Sequence, residues 1–206
     1  MDTVSNYRSA DARRAETVLT VIAMAAEQNP SSITTAAIAQ RMNLSQGALF
    51  RHFPNKEAIF EAVINWVAER ILSRVDTAIS EASNPAAALQ AVFMTHIHFV
   101  SEHPGVPRML FGELQHARLT APKRMAQSLI ARYAHRLHHL IEAGKAGGEF
   151  SFTLDTEAAA SLFIGSIQGL VMQSLLLDDP NYLVAQAPRA FGLILRAIKE
   201  AHSCND

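Results

Sequence analysis

Apolar positions recur with a helical period along almost the whole chain, and the period is interrupted only at Asn-Pro, His-Pro and Gly-rich steps. A first helix is predicted over about residues 10–28, with Val18, Leu19, Ile22 and Ala26 on one face and Asn29-Pro30 ending it. Two short helices follow. Ile38, Ala39 and Met42 mark the first, and Leu49, Phe50 and Phe53 are the residues expected inward on the second. A longer helix from Lys56 toward Ser80 carries Ile59, Phe60, Val63, Val67, Ile71 and Val75 at helical spacing. After Asn84-Pro85 the face of Leu89, Val92, Phe93, His96, Phe99 and Val100 predicts another, which His103-Pro104-Gly105 breaks. A shorter one with Met109, Leu110, Phe111 and Leu114 comes next, then one with Leu129, Tyr133, Leu137 and Ile141 that is expected to stop at Gly144. Gly147 to Phe152 reads as a loop. The chain closes with a helix from Asp155 to about Leu177 that is apolar nearly all round, and an amphipathic one from Pro188 to His202. The fold class is all-α.

The segment Ser32–Lys56, SITTAAIAQRMNLSQGALFRHFPNK, is the most specific. Thr34 and Thr35 supply a capping hydroxyl, Ala39 lets two helices cross closely, and Asn43 tolerates the left-handed backbone that a tight turn needs. Ser45 then caps a second helix that leaves Gln46, Ala48, Arg51 and His52 outward. Gln46 stands where its amide can pair with an adenine edge, and Gly47 allows close backbone approach.

The run from Leu44 to Glu57, preceded by Thr34-Thr35-Ala36-Ala37-Ile38-Ala39, closely resembles the N-terminal domain of TetR-type transcriptional repressors over roughly residues 9 to 70. Two positions depart from that pattern. Phe50 stands where these proteins usually carry tyrosine, and Ala36 where a polar or basic residue is frequent. The resemblance implies a three-helix DNA-binding domain over 1–57 and a helical dimerisation and effector-binding domain over 58–206. Its expected DNA-contacting set is Thr34, Thr35, Gln46, Gly47, Ala48, Phe50, Arg51, His52 and Lys56. It also implies a near-palindromic double-stranded operator and a small hydrophobic or aromatic effector. In layout it places the effector among Phe93, His96, Phe99, Val100, Met109, Phe111, Tyr133 and Leu137. A helix without a polar face needs two partners, so a homodimer seam is expected through Gly165, Gly169, Phe191, Leu195 and Ile198.

Composition narrows the alternatives. The 206 residues are 49% apolar with a formal charge of -1, which excludes a disordered chain and one that coats nucleic acid along its whole surface. Up to Glu57 there are six basic residues, Arg8 among them, against five acidic, so charge by itself identifies no DNA face. The single Cys204 allows no internal disulfide. A cytoplasmic location is expected, for the N-terminus lacks the apolar stretch of a signal peptide. No membrane span is expected between Leu162 and Leu177, where glycines, serines and glutamines interrupt the apolar run. His135 and His139 lie four apart at chelating distance, yet a solvated pair is expected, with neither metal nor cofactor. His96, in the middle of an apolar face, must be hydrogen-bonded or line a cavity. No catalytic motif supports an enzyme, and a helical interaction or ligand-binding protein without DNA is the other alternative.

Overall fold

A computed structural model describes residues 9–199, which are all-helical apart from turns and loops. The helices are α1 (Ala10–Glu27), α2 (Thr35–Arg41), α3 (Gln46–Phe50), α4 (Lys56–Glu81), α5 (Pro85–Glu102), α6 (Gly105–Leu114), α7 (Ala121–Ala146), α8 (Thr156–Leu177) and α9 (Pro180–Lys199), with a 3-10 turn at Pro30–Ser32. Arg8, His202 and Cys204 lie outside the described residues.

Two compact units are formed, and they do not follow the division at residue 57. The first combines 9–67 with His103–Ala126, and the second combines Ala68–Glu102 with 127–199. What brings α6 into the first unit is a missing side chain. A Cβ on Gly105 would lie 1.9 Å from the Ile22 carbonyl oxygen and 2.9 Å from the Ala26 nitrogen, so only glycine lets α6 reach the backbone of α1. Val18, Val21, Ile22 and Ala25 line the buried stripe of α1, joined by Ile33, Ile38, Ala39, Leu49, Phe53, Ile59 and Val63. Leu19, expected inward, is 48% exposed. The stripe that fits 3.6 residues per turn runs through Val21 and Ala25, which turns Leu19 outward.

In the second unit Phe93 of α5 is fully buried and meets Phe163 of α8 edge-on at 5.2 Å and Phe191 of α9 at 5.5 Å. Leu89, Ile97, Leu137, Ile141, Ile167, Ile194 and Ile198 complete this core. Two helix ends differ from expectation. Helix α7 continues past Gly144, because that glycine is bare to admit the Phe150 ring, whose carbons would sit 2.1 Å from an added Cβ. The chain turns instead at Gly148, with φ of 72°. Helix α9 starts at Pro180, two turns before the expected Pro188, which the helix carries inside it. Pro188 is exposed, and the surrounding turns bury Leu183, Ala187 and Phe191, so packing outweighs the one backbone bond a proline removes.

Helix α8 is long and apolar enough to cross a membrane by length and composition alone, at mean hydropathy 1.6. Ala159, Ala160, Phe163, Ile167, Leu170 and Val171 form its inward stripe. Leu162, Met172, Leu176 and Leu177 stay exposed, and so does Leu193 of α9 at 62%. This chain by itself leaves that apolar surface uncovered.

Candidate nucleic-acid interface

The site is assembled by local hydrogen bonds. Thr34 Oγ1 accepts from the Ala37 amide at 3.1 Å and starts α2. Asn43 then takes the left-handed conformation, φ 54°, and the Leu44 amide donates back to the Ala39 carbonyl at 2.8 Å. Ser45 Oγ accepts from the Ala48 amide at 3.1 Å and starts α3. Only Leu49 and Phe53, four apart, anchor this unit inward. Phe50 was expected with them and is 42% exposed, because one residue beyond Leu49 the helix has turned about 100° away.

The residues expected to contact DNA are exposed to different degrees. Thr34, Gln46, Gly47 and Arg51 are exposed, and Thr35, Ala48, His52 and Lys56 are half-buried. Gln46 Nε2 donates to Thr35 Oγ1 at 2.9 Å, so the first residue of α3 is tied to the first of α2. Lys56 is more occupied than its sequence suggests. Its ammonium donates to the carbonyls of Ser31 at 3.2 Å and Pro30 at 3.4 Å and lies 5.2 Å from the Phe60 ring centroid. Burial moves its pKa below the ordinary lysine value.

Two anchors were not singled out from sequence. Arg14 donates to the His52 carbonyl at 2.6 Å with its guanidinium 4.5 Å from the Phe53 ring centroid, which fastens the end of α3 to α1. Asn55 Oδ1 accepts from the Ala58 amide at 2.8 Å and caps α4. Asn-Lys-Glu at a helix start was the available signal. The charge of this unit was also hidden. Residues 9–67 carry as many acids as bases, and it is His103–Ala126 that adds Arg108, Arg118, Lys123 and Arg124 against Glu113 alone.

The expected effector residues are divided between the units. Met109 and Phe111 belong to the first; Phe93, His96, Phe99, Val100, Tyr133 and Leu137 belong to the second. There Phe93, Phe99 and Leu137 are buried to 1% exposure or less. His96 Nδ1 and the Tyr133 hydroxyl share a hydrogen bond of 3.2 Å. Burial lowers the His96 pKa to about 4 and pushes the Tyr133 phenol well above its usual value, so both are neutral near pH 7. The expected dimer residues are likewise only partly outward. Gly165 is exposed and Gly169 and Leu195 are half-buried, with open space where either glycine's Cβ would stand. Phe191 and Ile198, each 2% exposed, must be removed from the seam, since both fill the core of their own chain.

Two capped helices about a left-handed asparagine, presenting a polar surface at the start of the second, define a helix-turn-helix DNA-binding regulator. Comparison with known proteins agrees. Residues 22–63 match the bacterial regulatory proteins of the tetR family, and residues 117–191 match the tetracyclin repressor-like C-terminal domain. The nucleoid occlusion factor SlmA of Shewanella woodyi is 31% identical over 164 residues, 78% of this chain and 82% of that protein. SlmA of Vibrio cholerae is 29% identical over 191 residues, 90% of this chain and 96% of that one. Among solved structures, the transcriptional regulator FadR from Bacillus subtilis in complex with stearoyl-CoA superposes with a TM-score of 0.80 at 20% identity, over 89% of this chain and 98% of that chain. The chain belongs to the TetR family of DNA-binding transcriptional regulators. None of these descriptions names an enzyme.

Proposed function

We propose that this protein is a homodimeric repressor that reads a near-palindromic operator through α3 and is released by a small hydrophobic effector. The observation that carries the reading is the Gln46–Thr35 hydrogen bond, which holds an exposed amide at the start of α3 where an adenine edge can be met. Arg51, His52 and the amino ends of α2 and α3 supply phosphate contacts beside it. A dimer follows from the uncovered apolar surface of α8 and α9, and presents two recognition helices to half-sites about 34 Å or a multiple apart. In the second unit the His96–Tyr133 pair is the polar couple that an apolar effector would meet.

Operators selected from genomic DNA test the DNA reading. Gln46→Ala should relax preference at one base position by about 1–3 kcal/mol, whereas Arg51→Ala should weaken all sequences alike and reduce the salt slope by about one. Unchanged selectivity in Gln46→Ala would remove Gln46 from base readout. Leu193→Glu places a charge on the exposed α9 surface and should yield monomers in sedimentation while leaving helicity intact. A dimer that survives this change is not built on that surface.

A second reading rests on the names of the two relatives, both nucleoid occlusion factors matched over most of the chain. In that reading the protein acts at the nucleoid rather than at one promoter. The genomic selection separates the two by the number and spread of bound sites.

A further inference from the structure

We propose that His135 and His139 on α7 form a binding site for an imidazole-seeking divalent transition-metal ion, of the copper(II), nickel(II) or zinc(II) class. Both side chains are exposed, one turn apart on the same helix face, and their Nε2 atoms stand 3.1 Å apart. With metal–nitrogen bonds of about 2.0–2.1 Å, that separation subtends about 100° at an ion placed between the two nitrogens. The angle lies between the right angle of square-planar or octahedral coordination and the tetrahedral angle, so the spacing of the two nitrogens suits chelation once each ring rotates to aim its lone pair at the ion.

Without metal, one ring donates its Nε2 proton to the other across the same gap. An ion takes the place of that proton when the donor ring shifts its hydrogen to Nδ1, leaving a lone pair on each Nε2. The surroundings decide what kind of site results. Arg136, between the two histidines, is held by both oxygens of Asp76 at 2.6 and 2.9 Å, so its charge is partly compensated. Glu142, one turn beyond, is occupied by Lys145 and Thr156. His138 meets the His139 ring edge-on, 6.0 Å centre to centre. Among the described residues no group of three or more ligating side chains is available, so the ion would complete its sphere with water. Such a site exchanges readily and has open positions, unlike a closed structural zinc centre.

Among the other described histidines, His96 is bound to Tyr133, His103 packs on Trp66, and His116 lies 3.8 Å from the Glu113 carboxylate. Equilibrium dialysis of the full chain without an affinity tag against nickel(II) tests the site. One ion per chain is expected, lost in His135→Ala and in His139→Ala with circular dichroism unchanged. Adding Ala131→His to the His139→Ala protein restores a four-residue spacing with His135 at an exposed position and should restore uptake. Copper(II) bound to the unaltered chain should show coupling to two imidazole nitrogens in its paramagnetic resonance spectrum. No uptake by the unaltered chain, uptake that survives His139→Ala, or failure of Ala131→His to restore it would each overturn the proposal.

Discussion

The turn between α2 and α3 and the pair α8 and α9 are organised by opposite means. In the first, polar groups decide the geometry: a hydroxyl caps each short helix, one asparagine turns the chain, and two apolar anchors suffice for α3. In the second, apolar side chains decide it, with Phe93, Phe163 and Phe191 meeting in the core while further leucines stay outside. The difference teaches where a function can be read from local chemistry. Hydrogen-bonding groups have direction and fix a surface residue by residue, whereas burial is non-directional and is satisfied by several arrangements of the same side chains.

The largest expected effect would show that the first region also depends on backbone fit. Gly105→Leu must force α6 off the Ile22 carbonyl, and a loss of about 3 kcal/mol or more is expected in thermal unfolding followed by circular dichroism. A variant as stable as the parent would mean that the α1–α6 contact contributes little. An intermediate effect belongs to the second unit. The His96 pKa is lowered from about 6.5 to about 4 by burial, so below pH 6.5 the unfolded chain binds a proton that the folded chain refuses. Stability is therefore complete above that value and falls with pH down to about 4, by up to about 3 kcal/mol. His96→Leu should flatten this part of the pH dependence in denaturant titrations. A slope unchanged by the substitution would assign it to other groups. The smallest effect sharpens the comparison: Ser45→Ala removes the α3 cap and should cost about 1 kcal/mol, while operator affinity falls further because the helix frays where DNA is met. Equal small losses in stability and in binding would show that the cap serves the fold alone.

How much could be read in advance follows the same line. Thr34, Asn43, Ser45 and Asp155 took the roles their side chains announced, because caps and turns depend on neighbours within four residues. Leu19 and Phe50 were misplaced because each is next to a truly buried residue, and apolarity does not distinguish adjacent phases of a short helix. The return of α6 onto α1 was illegible, since Gly105 read as a helix break while its close contact is made more than seventy residues away in sequence. Helix α8 offered no polar face to orient it, so Phe191 and Ile198 of its neighbour were assigned to the surface although they fill the interior. The exposure of Thr34, Gln46, Gly47 and Arg51 was legible, but not the occupation of Lys56 by the 3-10 turn, which a sequence pattern cannot show.

The bond between Gln46 and Thr35 bears on the entropy of recognition. A free glutamine on a helix surface samples many rotamers, and freezing it on a base opposes binding by roughly 1–2 kcal/mol. Here one amide hydrogen is already held by a hydroxyl that belongs to a different helix, and in the proposed contact the second hydrogen and the carbonyl oxygen would remain for an adenine edge. The same hydroxyl can accept from the amide nitrogen or donate to the amide oxygen, so it holds the group in place without choosing which end faces α2. In the proposed contact such preordering would lower the entropic cost of meeting DNA without by itself selecting one base.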